Sequence, residues 1–112
     1  MSNPSKKIVN LVRDRDQACV RCGRVGGNIH HRRMRSQSPK DKVHNIENLI
    51  VLCGSGTTGC HGWVHAHPDE SYRNGWLVMS VFDPADMPVR YYDGFFYYLN
   101  ERGTRVKGEI ND

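Results

Sequence analysis

The chain is poor in apolar residues. They make up 38% of its 112 positions, and the mean hydropathy is −0.67. So little apolar material leaves a small core short of stabilisation, and a staple such as a bound metal is expected. No apolar run approaches the roughly 18 residues that span a bilayer, so no membrane partner is expected. The segment Met1 to Lys7 is polar and leads into no apolar stretch. No secretory signal is therefore read, and a reducing, cytoplasmic compartment is expected. Internal repeats are absent. The glycine-rich stretch Gly54 to Gly59 is not followed by Gly-Lys-Ser/Thr, which excludes a phosphate-binding P-loop. His61-x3-His65 carries Gly62 where a His-Glu-x-x-His metalloprotease needs its glutamate, which excludes that chemistry too.

What the chain does have is an uneven charge. Between Lys6 and Lys42 lie eleven Lys/Arg and three Asp, whereas four basic and six acidic residues lie between Asp83 and Asp112. A basic stretch beside a mildly acidic tail points to a polyanionic partner, with simple solubility as the plain alternative. Within it, Arg32, Arg33 and Arg35 suit phosphate contacts.

Four cysteines fall in two pairs, Cys19-x2-Cys22 and Cys53-x6-Cys60. A tight Cys-x2-Cys turn supplies two of the four soft ligands of a tetrahedral zinc, and the second pair would complete it. In a reducing compartment a structural zinc is favoured over disulfides, with free thiols or a redox pair as alternatives. Six histidines follow their own pattern. His61 and His65 stand four apart on an expected helix, so their rings share one face and can chelate one ion. His30 and His31 are neighbours on an expected strand and so point to opposite faces. One can bind metal while the other reaches a different group. His44 and His67 are read as ordinary loop and cap residues.

Local signals divide the chain further. A helix is expected over Pro4 to Gln17, with Asn3 or Ser2 as its cap. Strands are expected over Asn28 to Arg33 and over the apolar run Asn48 to Cys53, with a basic loop from Arg33 to Lys42. Helical segments are expected over Cys60 to His67, capped by Thr57 or Thr58, and over Pro68 to Asn74. Strands follow over Trp76 to Val81, Val89 to Tyr92 and Phe95 to Leu99, the last two joined by a two-residue Asp93-Gly94 turn. The aromatics flanking that turn are expected to pack against Trp63 or Trp76, with base stacking or a partner surface as the functional alternatives. From Glu101 the tail is polar and expected to fray.

Cys19-x2-Cys22, Ile29-His30-His31-Arg32, Asn48 to Cys53 and Cys60-His61-x3-His65 together resemble the HNH endonuclease family, most closely its small members from tailed bacteriophages. The resemblance covers Cys19 to Val78. It implies an α+β fold with a ββα-metal (His-Me finger) core, stapled by a four-cysteine zinc site and flanked by an N-terminal helix and a C-terminal hairpin. A single domain over 1–112 is implied, its core spanning about 19–68 and its hairpin extension about 76–100. It also implies His31 as general base, Asn48 as the residue orienting it, and His30, His61 and His65 as ligands of a catalytic divalent ion. Cys19, Cys22, Cys53 and Cys60 match the structural zinc knuckles. The activity implied is hydrolysis of DNA to a 3′-hydroxyl and a 5′-phosphate, in a host cytoplasm, with terminase subunits of the packaging motor as further partners. One departure stands out. All three ion ligands are neutral histidines, where many sites of this class have an Asp. That favours Zn2+, Ni2+, Co2+ or Mn2+ in affinity, although Mg2+ or Mn2+ can still be the working ion. The rival readings are a non-catalytic zinc module for DNA binding or packaging and an RNA or toxin-type nuclease.

Overall fold

The structure, a computed structural model, describes residues 3–108. Three helices and two small antiparallel sheets make an α+β molecule: α1 (Lys6–Asp16), β1 (Asn28–His31), β2 (Leu49–Leu52), α2 (Gly59–Ala66), α3 (Pro68–Arg73), β3 (Val89–Arg90), β4 (Phe96–Leu99) and β5 (Arg105–Lys107). No helix among the described residues is long and apolar enough to cross a membrane.

Strand β2 is the centre of the molecule, and its sequence explains why. All four residues of Leu49–Leu52 are buried, the signature of a strand covered on both faces. Ile50 and Leu52 point into one cluster with Val20, Val64, Leu77, Val89, Tyr91 and Leu99. Leu49 and Val51 point the other way, into a cluster with Val12 and Ile46, against which Ile8 and Leu11 pack. One face of β2 therefore carries α1, and the other carries α2 and the C-terminal sheet. Strand β1 pairs antiparallel with β2, placing His30 opposite Ile50 and His31 opposite Leu49.

Helix α1 starts later than its proline suggests. Ser5 is the cap, its hydroxyl accepting the Ile8 N–H at 3.2 Å, so Asn3 is not the cap and Ser2 lies outside the described residues. The helix ends in a buried polar knot. Asp16 accepts the Val51 N–H (3.0 Å) and a bidentate contact from Arg15, whose remaining donors reach the carbonyls of Ile46 and Leu49. Helix α1 is thus keyed to β2 by hydrogen bonds as well as apolar contact. Thr58 occupies the cap position of α2, but its hydroxyl accepts the Ser55 N–H rather than capping the helix.

The last third departs from the expected strands. Trp76 to Val81 is irregular, because its backbone is already engaged elsewhere. Ser71 O takes the N–H of Trp76 and Leu77, His30 takes the Trp76 carbonyl, and Arg32 O takes the Val78 N–H. The hairpin exists with a three-residue loop, not two. Register pairs Arg90 with Phe96, Tyr91 and Phe95 share a backbone bond, and Gly94 sits at φ +88°, the left-handed position such loops require. The polar tail does not fray over Arg105–Lys107, which pairs with β4 as a third strand. Its residues beyond Gly108 lie outside the description. Tyr91 is buried and packs edge-on against Tyr97 at 5.0 Å, while Tyr92, Phe95 and Tyr98 stay exposed on the hairpin.

Candidate metal centres

Two groups of ligand side chains meet at the start of α2. Cys19, Cys22, Cys53 and Cys60 place their sulfurs within 4.8 Å of one another. All four are free thiols, and Cys22 and Cys53 stand 3.7 Å apart. That is far beyond the disulfide bond length of about 2.05 Å. It matches the edge of a tetrahedron of sulfurs held about 2.3 Å from a central zinc, which works out to about 3.8 Å. Backbone amides converge on the group, the Cys60 N–H reaching Cys53 Sγ at 3.4 Å. That amide holds the Cys53 thiol down to about 7, whereas burial pushes Cys60 up to about 12. Arg21, inside the Cys-x2-Cys turn, donates to Cys60 Sγ at 3.3 Å and stacks 3.7 Å over Trp63. It is a local counter-charge for sulfurs that become thiolates on a metal. Sequence reasoning missed it, since an arginine between two cysteines has no distinguishing local signal.

His30, His61 and His65 form the second group, also with ligand nitrogens within 4.8 Å. Their ring centroids form a near-equilateral triangle with sides of 5.0, 5.2 and 5.4 Å. Three imidazoles on tetrahedral arms, with nitrogens about 2.1 Å from the ion, give sides of about 5.2 Å. His30 is 2% exposed, and its Nε2 donates to the Trp76 carbonyl at 2.7 Å. A carbonyl can only accept, so in the neutral ring Nδ1 carries the lone pair. A carbonyl holding the far nitrogen is the usual support of a metal-ligating histidine. His61 Nδ1 is buried without a hydrogen-bond partner, an orphan that an ion nearby would resolve. These residues fit a divalent ion of the borderline class, and the group contains no carboxylate.

Glycine 62 makes this geometry possible. A Cβ there would lie 2.5 Å from the Thr57 carbonyl carbon, so no side chain, glutamate included, fits between His61 and the loop it packs on. The two groups are also joined covalently and by hydrogen bonds. Cys60 belongs to one and His61 to the other, and the His61 N–H bonds Cys53 O at 2.9 Å.

His31 is not a member of the three-histidine group. Its Nε2 lies 3.1 Å from Nδ1 of His44. Burial, with Arg35, His44 and His61 nearby, holds its pKa down at about 4, so the ring is neutral at pH 7. Asn48 is fully buried and spans the loop between β1 and β2. Its Oδ1 accepts the Arg33 N–H (2.7 Å), and its Nδ2 donates to the carbonyls of Arg33 (3.1 Å) and Val43 (3.0 Å). His44, read from sequence as a plain loop residue, is thus drawn against His31, a contact across 13 residues that no local pattern encodes. His67 stacks on Trp63 at 4.1 Å and bonds its carbonyl, and makes no cap bond to α3.

The arginines require a correction. Arg32 does not face a ligand. It is fully buried, and four of its N–H groups donate to the carbonyls of Gly75 (2.7 Å), Glu47 (2.9 Å), Pro84 (2.9 Å) and Met87 (2.6 Å). Arg33 is 7% exposed and holds Ser38 Oγ and the Phe82 carbonyl. Both tie the β1–β2 loop to the 75–87 segment. With Arg15 also internal, three of the eleven basic residues of the first third are unavailable to a polyanion. Arg35 remains half-buried beside His31. Arg32→Ala is expected to strand four carbonyls, two of them buried and two part-buried, and lower stability by about 3–5 kcal/mol, a melting-temperature fall of 10 °C or more. Thermal denaturation followed by circular dichroism checks this. A variant that melts like wild type but binds DNA with a shallower salt slope would restore Arg32 to the phosphate-contact role.

Comparisons with family models, curated proteins and solved structures return no match.

Proposed function

We propose that this protein is a metal-dependent DNA endonuclease of the HNH type, in which β1, β2 and α2 form a ββα-metal core. The observation that carries the reading is the pair His30-His31. One imidazole closes a three-histidine ion site with its far nitrogen tied to a carbonyl, and the next is held separately as a neutral ring on the opposite face. A binding module has no use for the second ring.

Each side chain then has a task. His31 takes a proton from a water molecule as that water's oxygen bonds to the scissile phosphorus. The P–O3′ bond breaks, the leaving oxygen takes a proton from solvent, and the products are a 3′-hydroxyl and a 5′-phosphate. His30, His61 and His65 hold the divalent ion, which supplies Lewis-acid neutralisation of phosphate and leaving-group charge. Asn48 touches no substrate; it fixes the loop that carries the base. Arg35, near His31 and donating to Asn3 Oδ1, is the arginine we assign to a phosphate oxygen. The four cysteines hold a structural zinc. A nucleic-acid substrate is favoured by the basic residues of the first third that lie outside the core, and DNA rather than RNA follows from the HNH resemblance alone.

The test is incubation of supercoiled plasmid with Mg2+, Mn2+, Ni2+ or Zn2+. Nicked or linear product is expected with at least one ion. If plasmid is bound yet stays supercoiled with every ion, the protein is a zinc-stabilised binding module instead. If only RNA is cut, the chemistry stands and the substrate changes.

A further inference from the structure

We propose that His44 is a positioning residue for His31. It accepts the His31 Nε2–H and thereby leaves Nδ1 as the lone pair that meets the substrate water. The inference rests on the hydrolytic reading of the site.

The two nitrogens are 3.1 Å apart, and the rings lie 5.2 Å apart at 56°. Two lone pairs repel at that distance, so one nitrogen must carry hydrogen. There are two possibilities, and they are not equivalent. If His44 donates, the neutral His31 ring bears its proton on Nδ1 and has no lone pair outside the contact. If His31 donates, Nδ1 is bare and able to take a proton. Only the second arrangement makes His31 a base, because Nε2 is occupied in both.

The surrounding backbone is built to keep the rings together. His44 follows a turn in which the Lys42 N–H bonds Pro39 O at 2.9 Å and the Asn45 N–H bonds Lys42 O at 3.1 Å. Val43, the residue before His44, has its carbonyl held by Asn48 Nδ2, and the same amide brackets Arg33, two residues after His31. One buried side chain therefore sets the separation of the two segments that carry the imidazoles. When His31 gains its proton on Nδ1, its Nε2–H already points at His44 Nδ1 as acceptor. No carboxylate is needed, and none is bonded to His31 among the described residues.

The experiment combines tautomer and activity. In long-range 1H–15N spectra of the zinc-loaded protein at neutral pH, His31 is expected in the Nε2-protonated form, and His44→Ala is expected to give a mixture. In cleavage, His44→Ala is expected to lower kcat about 10–100-fold, the usual size of a supporting-residue effect. KM and Ni2+ affinity by calorimetry should not move. His44→Asn sets an amide oxygen where Nδ1 was and should restore kcat to within a few-fold, whereas His44→Gln, which reaches one atom further, should not. A wild-type His31 protonated on Nδ1 overturns the proposal, as does a His44→Ala protein that cuts at the wild-type rate. A wild type that never cuts sinks the nuclease reading, while the spectra still decide the histidine pair.

Discussion

His31→Ala is expected to lower plasmid cleavage by about 100- to 10,000-fold, the range lost with a positioned general base, while the protein stays folded and keeps its ion. The reasoning is geometric. His31 is half-buried rather than part of either core cluster, so its removal opens no internal cavity. It lies outside the triangle of His30, His61 and His65, so calorimetric titration with Ni2+ should give wild-type affinity. His30→Ala makes the contrast. It is 2% exposed and inside the triangle, so its loss should abolish both ion binding and cleavage. A His31→Ala protein that cuts like wild type removes His31 from the mechanism. One that fails to bind Ni2+ makes it a ligand instead of a base.

The second large effect concerns the cysteines. The purified protein is expected to hold one zinc that survives dialysis. Cys53→Ser, or stripping with a strong chelator, should unfold the chain. The magnitudes decide this. A structural zinc contributes an apparent 10–16 kcal/mol or so, against a total domain stability of about 5–15 kcal/mol. The core here cannot make up such a loss, since Cys19, Cys53 and Cys60 are themselves buried members of its larger cluster. The loss also spreads. Cys60 and His61 are adjacent in the first turn of α2, and the His61 N–H hangs on Cys53 O, so the three-histidine site should vanish with the zinc. Metal analysis, far-ultraviolet circular dichroism and Ni2+ titration check the three consequences together. A zinc-free protein with an unchanged melting curve would refute the staple, and would leave four thiols whose clustering within 4.8 Å needs another cause.

The sequence alone determined whatever depends on short spacing. Cys-x2-Cys brings two sulfurs to one turn, and His-x3-His puts two rings on one face of α2, because helix and turn geometry make neighbours of residues two to four apart. The alternation of a strand separates His30 from His31. An unbroken apolar run marks a strand within Asn48 to Cys53, where the structure has Leu49–Leu52. Tertiary structure decided everything that depends on residues far apart in the chain. Arg32 looked like a phosphate contact beside two other arginines, yet the fold closes four carbonyls around it from residues 47, 75, 84 and 87. Trp76 to Val81 has the composition of a strand, but its carbonyl and N–H groups are claimed by His30, Ser71 and Arg32 before a ladder can form. The polar Arg105–Lys107 becomes a strand only because β4 offers it a free edge. His44 meets His31 only because a buried amide at position 48 pulls two loop segments together. Local pattern reports which face a side chain takes along its own element. Which partner waits on that face is settled by contacts between elements, and those exist only once the chain has folded.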